Sequence, residues 1–282
     1  MSELARDHLG QFGVWRGASQ LTPGLALALE EAGYGTLWVG GSPDGSLAEI
    51  EELIDATTTL TLATGIVNIW KDPAADVAAS FRRIAARHPG RFLLGVGAGH
   101  REATQEYTRP YESLVSYVDV LLAEGVPRDD LVLAALGPKV LRLAAERTAG
   151  AHPYLVTPEH TRRARAIIGD GPVLAPEQKV VLDTDPARAR AIGRPRVQRP
   201  YLGLVNYTSN LRRLGWSDDD LRDGGSDALI DALVAHGSAG QVAARLREHL
   251  DAGADHVCLQ LLTESDDDLL HGYRTLAHAL NL

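Results

Sequence analysis

The octapeptides Glu31-Ala-Gly-Tyr-Gly-Thr-Leu-Trp38 and Asp251-Ala-Gly-Ala-Asp-His-Val-Cys258 lie near opposite ends of the chain and read alike. Each ends an amphipathic stretch on Ala-Gly and drops within a few residues into an apolar, β-type run. Glycine suits the position that stops a helix, because it adopts the left-handed backbone at little cost. A helix that turns so tightly into a strand is the αβ half of a βαβ unit. Meeting this junction at both ends implies that such units fill the chain.

Working outward, β-type runs fall at Gln11–Trp15, Thr36–Val39, Leu60–Trp70, Phe92–Val96, Leu131–Ala135, His152–Val156, Val173–Leu182 and Asp255–Leu262. Between them the apolar spacing predicts helices over Pro23–Ala32, Ala48–Thr58, Pro73–Arg87, Tyr111–Ala123, Pro138–Thr148, Pro158–Ile168, Asp185–Ile192 and Gly240–Ala252, with Asp268–Leu280 closing the chain. Several open on proline, which fits the first helical turn. Short apolar strands alternating with helices imply a parallel sheet covered on both faces. Eight such units in 282 residues favour an α/β fold of the (β/α)8 TIM-barrel type over an open doubly wound sheet. The stretch Gly193–Gly225 breaks the alternation before the last strand and reads as an insertion, either a helical excursion or a lid. With no linker and no low-complexity segment, residues 1–282 read as one domain.

The composition narrows the function. A 45% hydrophobic chain can bury a sizeable core, and a formal net charge of -9 argues against a nucleic-acid partner, which needs clustered basic surface. Arg82, Arg83 and Arg87 share one helix with acids nearby and read as a solvated face. No apolar run reaches the roughly 18 residues of a membrane span, and no signal-like start is present, so a soluble cytoplasmic protein is expected. The single cysteine, Cys258, excludes an intramolecular disulfide and a cysteine zinc site; within an apolar run it reads as a buried thiol. No metal site is expected.

In this fold, ligands bind at the C-terminal ends of the strands. Leu94-Gly-Val-Gly-Ala-Gly-His100 would let backbone amides approach a ligand, or simply make a tight turn. It lacks the spacing of a dinucleotide fingerprint. Ala134-Ala-Leu-Gly-Pro-Lys139 turns from a strand into a helix start, where free amides and Lys139 could receive a phosphate; an ordinary loop is the alternative. Thr64-Gly-Ile-Val-Asn-Ile-Trp70 brings amide and aromatic groups to the barrel mouth. Gly150-Ala-His-Pro-Tyr154 brings an imidazole and a phenol, with His152 equally readable as a core histidine. No strand end carries the paired carboxylates of a glycosidase, and the sequence has no G-x-S-x-G elbow and no H-E-x-x-H helix. Strand ends rich in glycine, amide and aromatic residues suit a bulky planar cofactor that carries redox chemistry itself.

Taken together, Phe12-Gly-Val-Trp15, Ala32-Gly-Tyr-Gly-Thr-Leu-Trp-Val39, Leu62-Ala-Thr-Gly-Ile-Val-Asn-Ile-Trp70, Arg91-Phe-Leu-Leu-Gly-Val-Gly-Ala-Gly99, Leu136-Gly-Pro-Lys139, Gly150-Ala-His-Pro-Tyr-Leu-Val-Thr157 and Asp251-Ala-Gly-Ala-Asp-His-Val257 resemble the luciferase-like monooxygenase superfamily, in particular its branch of F420-dependent oxidoreductases. The resemblance implies a luciferase-like barrel and hydride transfer between the deazaflavin coenzyme F420 and a small organic substrate. FMN-dependent monooxygenation and a catalytically silent cofactor-binding relative are the alternatives. It further implies a cis peptide at Gly65-Ile66 behind the cofactor ring, contact from Gly97, Ala98 and Gly99, and a phosphate held by Leu136, Gly137 and Lys139. Trp15, Asn68, His100 and His152 are expected around the substrate, with His100 and His152 as catalytic candidates. A homodimer is implied as well. The chain departs from the better-known sugar-phosphate dehydrogenases of this branch in having Gly40-Gly41 where they carry Asp-His, and His100 where they carry an acid. Their proton handling therefore cannot be transferred.

Overall fold

The computed structural model describes residues 8–99, 109–265 and 268–282. Strands β1 (Phe12–Gly17), β2 (Thr36–Gly40), β3 (Thr61–Gly65), β5 (Phe92–Gly97), β6 (Leu131–Leu133) and β7 (Gly150–Ala151) pair in that order, all parallel; the short β4 (Val67–Asn68) pairs β5. The seventh barrel strand is in two pieces, β8 (Val173–Leu174) and β9 (Glu177–Val181). β8 pairs β7, while β9 pairs β11 (Val257–Leu261), which pairs β1 and closes the ring. The (β/α)8 barrel expected from the sequence is therefore present.

The seventh strand breaks at Ala175-Pro176 because proline has no N–H for the ladder. Past the break, the edge that faced β7 is taken over by β10 (Val234–His236), a strand not foreseen from the sequence, which pairs Lys179–Val181. The expected strand over His152–Val156 is a further correction. Pairing there is limited to Gly150–Ala151, and the chain beyond is irregular, with Leu155 in the left-handed region.

Helices α1 (Pro23–Glu31), α2 (Ala48–Asp55), α3 (Ala74–Arg87), α4 (Pro110–Ala123), α5 (Pro138–Arg147) and α6 (Pro158–Ile168) follow successive strands. α11 (Ala239–Asp251) and α12 (Leu269–Leu280) flank the last strand. The insertion is helical and longer than read. α7 (Pro186–Gln198) runs through Gly193 and Pro195, and α8 (Val205–Arg213), α9 (Asp218–Leu221) and α10 (Asp227–Leu233) follow before β10. Gly193 does not end the helix because it packs on Val234, whose Cγ1 would lie 3.0 Å from an added Cβ. Leu204, Tyr207, Leu211, Leu229, Ile230 and Leu233 give the insertion its own apolar cluster, seated on Val181. No described helix is long and apolar enough to cross a membrane.

The main core lies between the strands and the outer helices, from Leu37 and Leu62 to Ile84 and Val118. The barrel interior is different: Trp15, Trp38, Ala63, Ala175 and Cys258 meet there. Trp38 Nε1 donates to His256 Nε2 at 3.0 Å, His256 Nδ1 lies 2.7 Å from the Gly10 carbonyl, and His152 stacks on Trp38 with centroids 4.1 Å apart. A buried polar group is tolerable only when hydrogen-bonded, and this aromatic column bonds most of its nitrogens.

Candidate functional site

A cavity of about 450 Å³ opens at the C-terminal ends of β1, β3, β5, β6 and β7. Its floor is made by Trp15, Gly65, Ile66 and His152. Asn68, Ala98 and Gly99 form one side; Leu136, Gly137 and Lys139 at the start of α5 form the far end. Tyr154 and the insertion residues Tyr201, Asn206 and Tyr207 complete the wall, with Tyr111 at the start of α4. The structure thus gathers most of the residues singled out in the sequence around one space, and the Gly65-Ile66 peptide within it is cis.

Trp15 organises the floor. Its indole lies over the ends of β2 and β3: an added Cβ on Gly40 would come within 1.9 Å of Trp15 Cζ2, and one on Gly65 within 2.7 Å of Trp15 Nε1 and 3.3 Å of His152 Nε2. Gly40 and Gly65 are register partners, so two neighbouring strands omit side chains to seat one indole. Gly40-Gly41 is thereby explained: Trp15 fills the space at the end of β2. Trp15 Nε1 and His152 Nε2 are both buried and have no hydrogen-bond partner among the described residues. His152 Nδ1 lies 2.7 Å from the Ala175 carbonyl oxygen and so carries the ring hydrogen. Burial lowers the His152 pKa to about 4, leaving Nε2 as an acceptor lone pair at neutral pH.

Gly99 is left-handed, with φ 59°, and its missing Cβ makes room for the Asn68 amide, whose Nδ2 would be 2.7 Å away. Asn68 Oδ1 accepts from Trp70 N at 3.1 Å, and Trp70 Nε1 donates to the Ala98 carbonyl at 2.7 Å. These bonds hold the Ala98-Gly99 turn against the cavity. Gly97 corrects an expectation: it stands one layer back, where a Cβ would meet Ala134 Cβ at 2.9 Å and Ile66 Cδ1 at 3.2 Å. It backs Ile66 and does not face the cavity. The expectation placed on His100 lies outside the described residues.

At the far end, Gly137 caps α5 without a side-chain hydrogen bond. The first-turn amides of such a helix and its dipole favour an anion. Lys139 Nζ sits 3.6 Å above the Tyr111 ring. Arg213, from the insertion, brings Nη2 to 3.7 Å from the Cβ position of Gly137, and His160 Nε2 lies 3.0 Å from the Leu136 carbonyl. Neither residue is legible in the sequence, since each reaches this loop from a distant element. Cys258 is fully buried, and burial raises its pKa, so it remains a core thiol. Among the described residues no group of His, Cys, Asp and Glu could hold a metal.

A charged pair beside the floor was also missed. Glu177 and Lys179 on β9 have side chains 0% and 1% exposed, and Lys179 Nζ lies 3.0 Å from Glu177 Oε1. The signal was present: Glu-Gln-Lys puts two charges at i and i+2, on one face of an otherwise apolar strand.

No protein-family model and no curated protein sequence matches the chain. Solved structures do. An F420-dependent secondary alcohol dehydrogenase in complex with an F420-acetone adduct superposes with a TM-score of 0.75 at 17% identity, over 96% of this chain and 98% of that one. The coenzyme F420-dependent tetrahydromethanopterin reductase of Methanopyrus kandleri gives 0.69 at 14% identity, over 96% and 98%. The oxygenating constituent of the 3,6-diketocamphane monooxygenase of Pseudomonas putida, a type II Baeyer-Villiger monooxygenase in complex with FMN, gives 0.68 at 13% identity, over 95% of each chain. The chain has the luciferase-like barrel fold that these enzymes share.

Proposed function

We propose that the protein is an oxidoreductase of the luciferase-like type that binds coenzyme F420, with FMN as the alternative, and acts on a small organic substrate. The observation that carries this reading is the cavity's polarity. Small residues and backbone line it from Gly65-Ile66 past Ala98-Gly99, and its far end joins a helix start to Lys139. A flat ring fits between such walls, and a phosphate-bearing tail fits the cationic end. When bound, the ring supplies two-electron hydride chemistry.

The chain's own residues then have distinct tasks. Leu136, Gly137 and Lys139 hold the phosphate, Ile66 and Ala98 bracket the ring, and Tyr154, Tyr201 and Tyr207 exclude water. Trp15 Nε1 and His152 Nε2 offer one donor and one acceptor beside Gly65, which suits a substrate hydroxyl better than a carboxylate or an amine. Lys139 is the charged residue among the described lining, at the end away from the floor of Trp15 and His152. A homodimer of the 30.3 kDa chain belongs to the same reading; light scattering that gives the monomer mass at micromolar concentration rejects it.

Equilibrium titration of the purified protein with F420, FMN and riboflavin tests the reading. F420 should bind most tightly, and FMN binding accompanied by oxygen consumption would overturn the choice of coenzyme. Lys139→Ala should weaken F420 or FMN by about tenfold, the scale of one charge-assisted contact, and leave riboflavin, which has no phosphate, within about twofold. Equal losses for FMN and riboflavin would remove Lys139 from the phosphate site.

A further inference from the structure

We propose that Glu177 is the proton store of the cavity, exchanging a proton with the substrate through Lys179 and the phenol of Tyr154. The proposal rests on the oxidoreductase reading for the origin of that proton, but its geometry is independent of any coenzyme. His152 cannot keep a proton at neutral pH, so a hydroxyl that loses hydride needs another acceptor.

The pair is expensive to bury, and a buried ion pair adds little to stability that apolar residues would not supply. Its surroundings complete it nonetheless. The Lys179 ammonium has three acceptors: Tyr154 Oη at 2.7 Å, Gln260 Oε1 at 2.9 Å and Glu177 Oε1 at 3.0 Å. Glu177 Oε2 accepts from Leu155 N at 2.9 Å. The Tyr154 hydroxyl donates to Gln260 Oε1 at 2.8 Å, and its ring packs on Trp15 and Tyr201 with centroids 4.9 and 5.3 Å apart. Tyr154 lines the cavity, so the exchangeable protons of Tyr154 and Lys179 join the cavity wall to the carboxylate.

The transfer balances. Lys179 gives one ammonium proton to the Glu177 carboxylate, and the resulting amine takes the Tyr154 phenolic proton once that hydroxyl turns from Gln260. The Tyr154 oxygen takes the substrate O–H proton as the substrate C–H leaves as hydride to a two-electron acceptor, a flavin-type ring. The phenol and the ammonium are regenerated, and Glu177 ends as the carboxylic acid. Reduction of a carbonyl runs the same steps backwards.

Burial pushes the Glu177 carboxyl up, against the attraction of Lys179, which moves it towards neutral pH where a proton store is useful. Burial likewise lowers the Lys179 ammonium, and Arg196 on α7 adds to this. Cys258 on β11 and Tyr207 on α8 also face the pair; burial raises both, so they stay neutral.

Infrared difference spectroscopy of the coenzyme-free protein tests the store without turnover. The wild type should show a buried carboxylic-acid band that titrates above the range of an ordinary carboxyl, and Glu177→Gln should lack it. Tyr154→Phe keeps the pair but cuts the chain, so the band should persist while its exchange in D2O slows by about tenfold or more. With F420 and a substrate in hand, Glu177→Gln should lower kcat by about a hundredfold, remove one limb of the pH profile and leave coenzyme affinity unchanged. A wild type with no such band, or exchange that Tyr154→Phe leaves untouched, overturns the proposal. Failure to bind F420 would instead refute the coenzyme assignment, and the infrared result would still decide the role of Glu177.

Discussion

Gly40→Ala is expected to destabilise the protein by about 3 kcal/mol and to weaken coenzyme binding at least tenfold, the cost of unseating one buried indole. Gly40 does not have a left-handed backbone, so alanine costs little there by itself. The cost comes from the new methyl, 1.9 Å from Trp15 Cζ2 and 2.4 Å from Cη2. The indole is only 8% exposed and packs on Tyr154 with ring centroids 4.9 Å apart. It must rotate out, opening the floor beside Gly65 and loosening Tyr154. Urea denaturation and a fluorescence titration with F420 read the two effects. The control is a double-mutant cycle. In a Trp15→Ala background the same Gly40→Ala change should cost less than about 1 kcal/mol, because the clash is gone. If the cost persists without the indole, the glycine serves some other purpose.

That prediction also shows where a sequence stops being legible. The β1-to-β6 strands and their helices could be read because each satisfies its own periodicity, with proline and glycine at the ends. The floor could not. Gly40 reads as an ordinary turn until the Trp15 indole is seen to need its space, and that contact depends on the register of β1, β2 and β3. Strand seven reads as continuous because apolar runs, Val173–Ala175 and Val180–Leu182, stand on either side of Pro176, and β10 is too short to show a period. α7 was stopped too early at Ile192 because the packing that accepts Gly193 comes from Val234. The strand-end glycines, the helix start at Gly137 and His152 were visible as residue types in suitable loops. Arg213 and the bond that Lys179 donates to Tyr154 were not, since they join elements far apart in the chain.

Acidification from pH 7.5 to pH 5 is expected to remove about 5 kcal/mol of stability, enough to bring a domain of ordinary stability close to unfolding. His152, His249 and His256 are buried, and burial lowers their pKa values from 6.5 to about 4, 3 and 4. Each ring is neutral and hydrogen-bonded in the fold: His249 meets Thr161 Oγ1 at 2.8 Å and Gln178 Oε1 at 3.0 Å. Because the folded pKa lies below the unfolded one, the unfolded chain binds protons first. The stabilisation is complete above about pH 6.5 and is lost as pH falls towards the folded values, at about 2 kcal/mol per histidine by pH 5. The raised carboxyl of Glu177 works in the opposite direction and offsets part of the total. Carboxylates held low, such as Glu30 at about 2, begin to contribute only below pH 4.5 and leave this window to the histidines. Urea midpoints measured across the range check the slope. His249→Gln should flatten it by about a quarter to a third whatever it costs at pH 7.5, since His152, His256 and His160, whose pKa burial also lowers, still titrate. A midpoint that stays level between pH 7.5 and 5 would mean that these histidines do not enter the fold as neutral rings.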